Sequence, residues 1–325
     1  ATIIDQSKTD SLPIIILDSG DLFFSKNRLF SGSDNIDHAK IRSEIIVDSY
    51  NIMGCDAFSP GSRDFALGVS YLKELEKKSN FDYISCNLYG QNSEHLFDEY
   101  KIKEIDGYNI AFIGAVSSFK KDSVLVKEPI NEIQSTVQKI SGISDYTILL
   151  FNGTDSDLDR LQESDINIDL ILRSKGSSKS TDNGGRERIP LYSSGNKGKY
   201  LNKINIRKST ESHDFVDISL EQANIKLSNK RINNKRKNTD PKDVSLEELY
   251  KDNQKILDVI KKHRKKIKDS MDKIDSAINT IESKSIPLNS KVASKPSILL
   301  IVDAGMAKIP KGPPAHHHHG HNHRH

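Results

Sequence analysis

Two acids three residues apart are the first candidates for chemistry in this chain. Asp18 and Asp21 lie in Ile14-Ile-Ile-Leu-Asp-Ser-Gly-Asp-Leu-Phe-Phe24, an apolar run that breaks into a Gly-Asp turn. Carboxylates at the end of a buried strand can work as an acid–base pair. The plainer reading makes one of them a turn cap. The other dense source of chemistry is the C-terminus, where seven of the 11 histidines fall in the last ten residues. His316, His317, His318, His319, His321, His323 and His325 make a chelating tail for Cu, Ni or Zn, with no framework around it to select among them. A purification tag and a natural metal-binding tail both fit that pattern. His38, His95, His213 and His263 are scattered and need no function. Cys55 and Cys86 fall on different expected strands, which predicts two buried thiols rather than a bridge.

The elements that must hold these residues follow from periodicity. Apolar runs predict strands near 14–17, 57–58, 83–87, 110–114, 147–151, 170–172 and 191–193, with helices over 39–53, 69–78 and 130–140 between them. Such alternation predicts an α/β layered domain over residues 1–209. Period-two patterning at 203–207, 215–220 and 224–228 predicts a closing β segment through 210–229. A polar, basic stretch at 230–244 reads as a linker. From Ser245, apolar residues recur at steps of three and four as far as 283, with Ser245 and Glu248 placed as a capping box. That predicts one long amphipathic helix of about 55 Å at ~1.5 Å per residue. Its narrow seam needs a partner, either 296–309 of the short helical segment 284–309 folding back or a second chain, and the interchain coiled coil is favoured. Pro296 at a first helical position favours a short helix for 296–309 over a strand. Residues 310–325 read as a disordered tail.

Bulk composition narrows the classes. The chain has 325 residues, 48 Lys+Arg against 45 Asp+Glu, and a net charge of +3. That balance gives no reason to invoke nucleic acid, and no run of about 18 apolar residues predicts a membrane span. The basic run 261–268 lacks aromatics, and its expected role is a solvated helix face. No signal peptide is visible, although 1–5 reads as the middle of an element.

Block by block, residues 1–208 resemble the 5′-nucleotidase branch of the calcineurin-like metallophosphoesterases. The run 14–24 resembles a metal-bearing strand of that family. Met53-Gly-Cys-Asp-Ala-Phe-Ser-Pro-Gly-Ser-Arg-Asp-Phe-Ala66 resembles the block carrying its Gly-Asn-His-Glu turn. Residues 147–153, 168–177 and 189–201 match later blocks. The resemblance implies a sandwich of two sheets flanked by helices, followed here by the C-terminal long helix and disordered tail. It implies two divalent metals bridged by the carboxylate at Asp21. At the other ligand positions stand Ser62, Arg63, Asn152, Lys175 and Ser177, and the family's opening Asp-x-His pair would precede residue 1. Arg63 and Lys175 repel a metal. They either pair with Asp21 or Asp64, the favoured reading, or form an anion cleft. The function implied is a catalytically inactive scaffold or assembly protein; the alternative is a residual metal-dependent phosphohydrolase using Asp21. A bacterial subgroup with similar motifs implies an extracytoplasmic location (periplasmic or cell surface) and a possible multihaem cytochrome partner. The chain has no Cys-x-x-Cys-His of its own. The absent first strand implies an open sheet edge for another chain.

Overall fold

The computed structural model describes residues 1–8, 12–30, 35–175, 189–195, 197–209, 215–237, 241 and 243–309. It begins with α1 (Thr2–Lys8), β1 (Leu17–Asp18), α2 (Ile36–Met53), β2 (Ala57–Phe58), a 3₁₀ turn (Ser62–Phe65), α3 (Val69–Lys78) and β3 (Asp82–Tyr83). Next come β4 (Leu88–Tyr89), β5 (Tyr100–Ile105), β6 (Tyr108–Val116), β7 (Leu125–Val126), α4 (Pro129–Ile140), β8 (Tyr146–Asn152), α5 (Asp155–Glu163), β9 (Leu170–Arg173) and β10 (Leu191–Ser193). The last group is β11 (Tyr200–Arg207), β12 (Phe215–Asp217), α6 (Ile218–Asn233), α7 (Leu246–Leu249), α8 (Gln254–Asp275), β13 (Asn279–Pro287) and α9 (Pro296–Met306).

Two sheets make the sandwich that the resemblance implies, within the α/β layered domain that the patterning predicts. One is parallel and short, in the order β1-β2-β3; the other has the order β10-β9-β8-β6-β5 and is parallel apart from the β5–β6 hairpin. Every residue of β8 is buried. That is the signature of a strand covered on both faces, and it explains its unbroken apolar sequence. Leu17, Ala57 and Ile84 from the first sheet meet Phe112, Ile148 and Leu150 from the second in one cluster. The outer face of the first sheet packs Phe58 and Tyr83 on Val47 of α2 and on Leu72 and Leu75 of α3. The outer face of the second packs on Ile130, Ile133 and Ile140 of α4 and on Leu158 and Leu161 of α5. Each fully buried aliphatic or aromatic side chain contributes about 1.5–3 kcal/mol. The helix starts are set locally: Glu128 and Thr154 accept the N–H of Asn131 and Asp157, and Pro129 occupies the first turn of α4. Cys55 and Cys86 are buried free thiols, as expected. Among the described residues no strand lies beyond β1, which is an edge.

The C-terminal third departs from the sequence reading. Among the described residues of the expected closing β segment, only 215–217 is a strand. Asp217 then accepts the N–H of Leu220 and starts α6, which runs through the expected strand at 224–228 and into the expected linker. The inward positions Glu221, Ser228 and Ile232 follow a helical step, and it prevails over the local alternation. The single helix expected over 245–283 is also corrected. It breaks after α7, restarts where Asn253 accepts the N–H of Ile256, and ends at Asp275. Residues 279–287 form β13 instead, antiparallel to β11 and parallel to β12. Ile281 is fully buried there beside Tyr146 and Phe215, so tertiary pairing overrides the helical spacing. Within the chain, the element that packs on the α8 seam is not α9. It is α6: Ile260 packs with Ile232 and Leu246, and His263 Nδ1 lies 3.4 Å from Ser228 Oγ. The short helix expected near 296–309 is present as α9. It lies on α2, where Gly305 is so close to Ile45 that an added Cβ would come within 2.4 Å of Ile45 Cδ1. No described helix is long and apolar enough to cross a membrane.

Candidate functional site

The carboxyl ends of β1, β2, β8 and β9 converge, and the loops leaving them carry the residues that the sequence singles out. The turn after β1 brings Gly20 against the loop after β2. At φ +99° a Cβ on Gly20 would lie 2.5 Å from the Ser59 carbonyl oxygen, so only glycine fits. Asp21 follows in the left-handed region, at φ 59°. On the facing loop, Gly61 sits where a Cβ would meet Asp21 Oδ1 at 2.5 Å and Asn152 Nδ2 at 2.6 Å. Asp21, Gly61 and Asn152 therefore share one small space.

Asp64 locks the two loops together. Its Oδ2 accepts the backbone N–H groups of Asp21 and Gly61, each at 2.8 Å, and its Oδ1 accepts that of Phe23 at 2.9 Å. The side chain is 1% exposed. Burial pushes its carboxyl up to about 7; the Phe23 and Gly61 N–H groups oppose this, and the nearby charges of Asp21 and Asp18 add to it. Asp18 is the turn cap. Its Oδ1 accepts the Gly20 N–H and its Oδ2 the Tyr50 hydroxyl, and burial raises its pKa. One Asp18 oxygen is thus held within the turn and the other by α2, as the turn-cap reading expects.

Asp21 itself is bound by Arg63. The Arg63 backbone N–H donates to Oδ1 at 2.9 Å, while the guanidinium Nε lies 3.6 Å from Oδ2. The Arg63 side chain is 47% exposed and that of Asp21 11%. The pairing foreseen for Arg63 is thus the one observed. On the far side, Asn152 Nδ2 donates to Ser174 Oγ at 2.7 Å, and Ser174 in turn donates to the Ser19 carbonyl. Asn152 Oδ1 is buried without a hydrogen-bond partner. Lys175 follows, exposed, with φ 57°. Ser177 and the tail histidines His316–His325 lie outside the described residues.

This donor set does not fit a two-metal centre. Such a centre needs a bridging carboxylate with several further oxygen and nitrogen donors at 3.5–4 Å metal spacing. Here the carboxylate is engaged by a guanidinium, and the neighbouring positions offer a serine, an arginine, an amide and a lysine. Among the described residues no group of three or more His, Cys, Asp or Glu side chains could hold a metal. The sequence reading missed the Asp64 clamp and the Asn152–Ser174–Ser19 chain. An acid directly after Arg63 was the available signal for the first; nothing in the sequence marked the second.

No family model and no curated protein matches the chain. Solved structures do. The Thermus thermophilus sulfate thiohydrolase SoxB superposes with a TM-score of 0.53 at 19% identity, over 63% of this chain and 39% of that one. The calcineurin-like phosphoesterase YfkN of Bacillus subtilis gives 0.52 at 19%, over 65% and 77%. A Staphylococcus aureus protein described as a 5′-nucleotidase gives 0.54 at 16%, over 64% and 44%. The chain thus spans less than half the length of two of these three. At such identities the likeness establishes a shared architecture and leaves each protein's activity its own.

Proposed function

We propose that this chain, which has the 5′-nucleotidase-like metallophosphoesterase fold, is a catalytically inactive scaffold or assembly protein that works outside the cytoplasm. The observation that carries this reading is Arg63, whose backbone and guanidinium both engage the one carboxylate left at the bridging position. A metal at Asp21 would have to displace that guanidinium and then sit beside it, and a like charge at such range disfavours the ion strongly. Hydrogen bonds made by Asp64, Asn152 and Ser174 tie the strand-end loops to one another. An extracytoplasmic setting, and a redox partner such as a multihaem cytochrome, belong to the same proposal.

The test is hydrolysis of p-nitrophenyl phosphate and nucleotides with Mn²⁺ or Zn²⁺ added. No turnover above background is expected, either in the parent chain or in Asp21→Ala. Turnover that disappears in Asp21→Ala would overturn the proposal and establish the residual phosphohydrolase.

The histidine tail is assigned a separate role: binding a transition metal independently of the folded body. Calorimetric titration of the full chain against a version ending at Ala315 is expected to lose Cu²⁺, Ni²⁺ and Zn²⁺ uptake, with Cu²⁺ bound tightest. Only neutral imidazole ligates, so affinity should fall as pH drops through about 6.5. Equal uptake by both versions would move the site into the body.

A further inference from the structure

The pairing of α6 with α8 gathers charge that the sequence keeps apart. His263 lies against Ser228, Ser270 donates to Glu221, and Ile260 packs on Ile232. The two helices are therefore antiparallel, with 228 opposite 263, and the stretches 226–237 and 261–268 run side by side. Each stretch holds six Lys or Arg and no Asp or Glu, in a chain whose whole net charge is only +3. Arg231 and Lys235 from one strand of the hairpin and Lys262 and Lys266 from the other collect around His263. Together with its burial, their charges hold that imidazole below its usual pKa. The ion pairs formed nearby are Arg264–Glu247, Lys265–Asp269 and Lys273–Glu221. None of them engages these four cations, which have no carboxylate partner among the described residues.

We propose that this flank of the helical hairpin rests on the anionic surface of a lipid bilayer. Basic side chains presented on the flank of a helix pair can reach one plane of phosphodiester headgroups together, their aliphatic stems lying along the protein and their charges in the interface. Leu227, one helical turn before Arg231, is 44% exposed and supplies an apolar side chain to dip below that plane. Nucleic acid fits less well. Neither basic stretch contains an aromatic residue on which a base could stack. The inference does not depend on whether the strand-end cleft is catalytic.

Co-sedimentation of the full chain with phosphatidylcholine vesicles, with and without phosphatidylglycerol, tests it at neutral pH in the presence of a chelator. Binding is expected only to the phosphatidylglycerol vesicles and should weaken as salt rises. Lys262→Ala with Lys266→Ala should weaken it roughly thirtyfold, from the usual contribution of a cation near such a surface. Both positions are exposed, so helicity by circular dichroism should not change. Lys262→Arg with Lys266→Arg should keep the binding. Equal binding to both vesicle types, or binding indifferent to salt and to the alanine pair, overturns the proposal. Tight binding to short duplex DNA without vesicle binding overturns it as well and assigns the flank to nucleic acid.

Discussion

Asp64→Asn should destabilise the fold by about 3–5 kcal/mol. The parent carboxylate accepts three backbone N–H groups from two loops. An asparagine amide turns an –NH₂ toward at least one of those donors and strands it in a buried space, at about 1–3 kcal/mol for each group left unpaired. Asp21→Ala removes one hydrogen bond from the Arg63 backbone N–H and an ion pair whose guanidinium is half exposed, and should cost about 1–2 kcal/mol. Urea denaturation of the two variants separates these outcomes; an Asp64→Asn midpoint equal to the parent's would refute the clamp. The pH dependence carries a further sign. The Asp64 carboxyl titrates near 7 in the folded chain, above its ordinary value. As pH rises through that interval the unfolded chain gives up this proton before the folded one does, so the Asp64 contribution is full at low pH and falls away toward 7. Asp64→Asn should remove that slope.

Ile281→Ala should cost about 2–4 kcal/mol. The residue is fully buried in β13 against Tyr146 and Phe215, and its loss leaves a cavity between the edge sheet and the body. If 279–287 were the end of a helix with a solvated face, alanine would be neutral or slightly stabilising. Equilibrium unfolding of this one variant therefore separates the observed strand from the helix that the spacing of Ile274, Ile278 and Ile281 suggests.

The parts of the fold legible in the sequence were those with a single physical reading. Runs such as 147–151 are too apolar for anything but a covered strand, and a Gly-Asp turn after such a run places its acid at the strand end. The ion pair between Arg63 and Asp21 was legible too, because a cation at a vacated ligand position has a nearby anion to meet. What failed were segments where two periodicities coexist. In 215–232, alternation hid the helical step that runs through Glu221, Ser228 and Ile232. In 254–283, the helical step continued past the point where sheet pairing takes over, and no capping signal at Ser276 announced the end. The seam on α8 was read correctly as needing a partner. The partner found within the chain, α6, was not foreseen because the alternation in 215–228 hides its helical step. At the site, the Asn152–Ser174–Ser19 chain joins residues distant in sequence, and only the convergence of strand ends creates it.

The placement of β13 between β11 and β12 has a consequence for how the chain acquires its shape during synthesis. The core strands β1 to β10 and their helices are all made before residue 200, so the sandwich can assemble as soon as they emerge. β11 then has no partner until the whole α6–α8 excursion has been translated. During that interval its backbone N–H and C=O groups form a bare sheet margin open to other nascent chains. Because β12 runs parallel to β13, a tight turn cannot join them, and the helical excursion is the required crossover. The closing sheet therefore forms after the sandwich and slowly, and a chain cut short before residue 279 would leave a folded body beside an unpaired, adhesive β11.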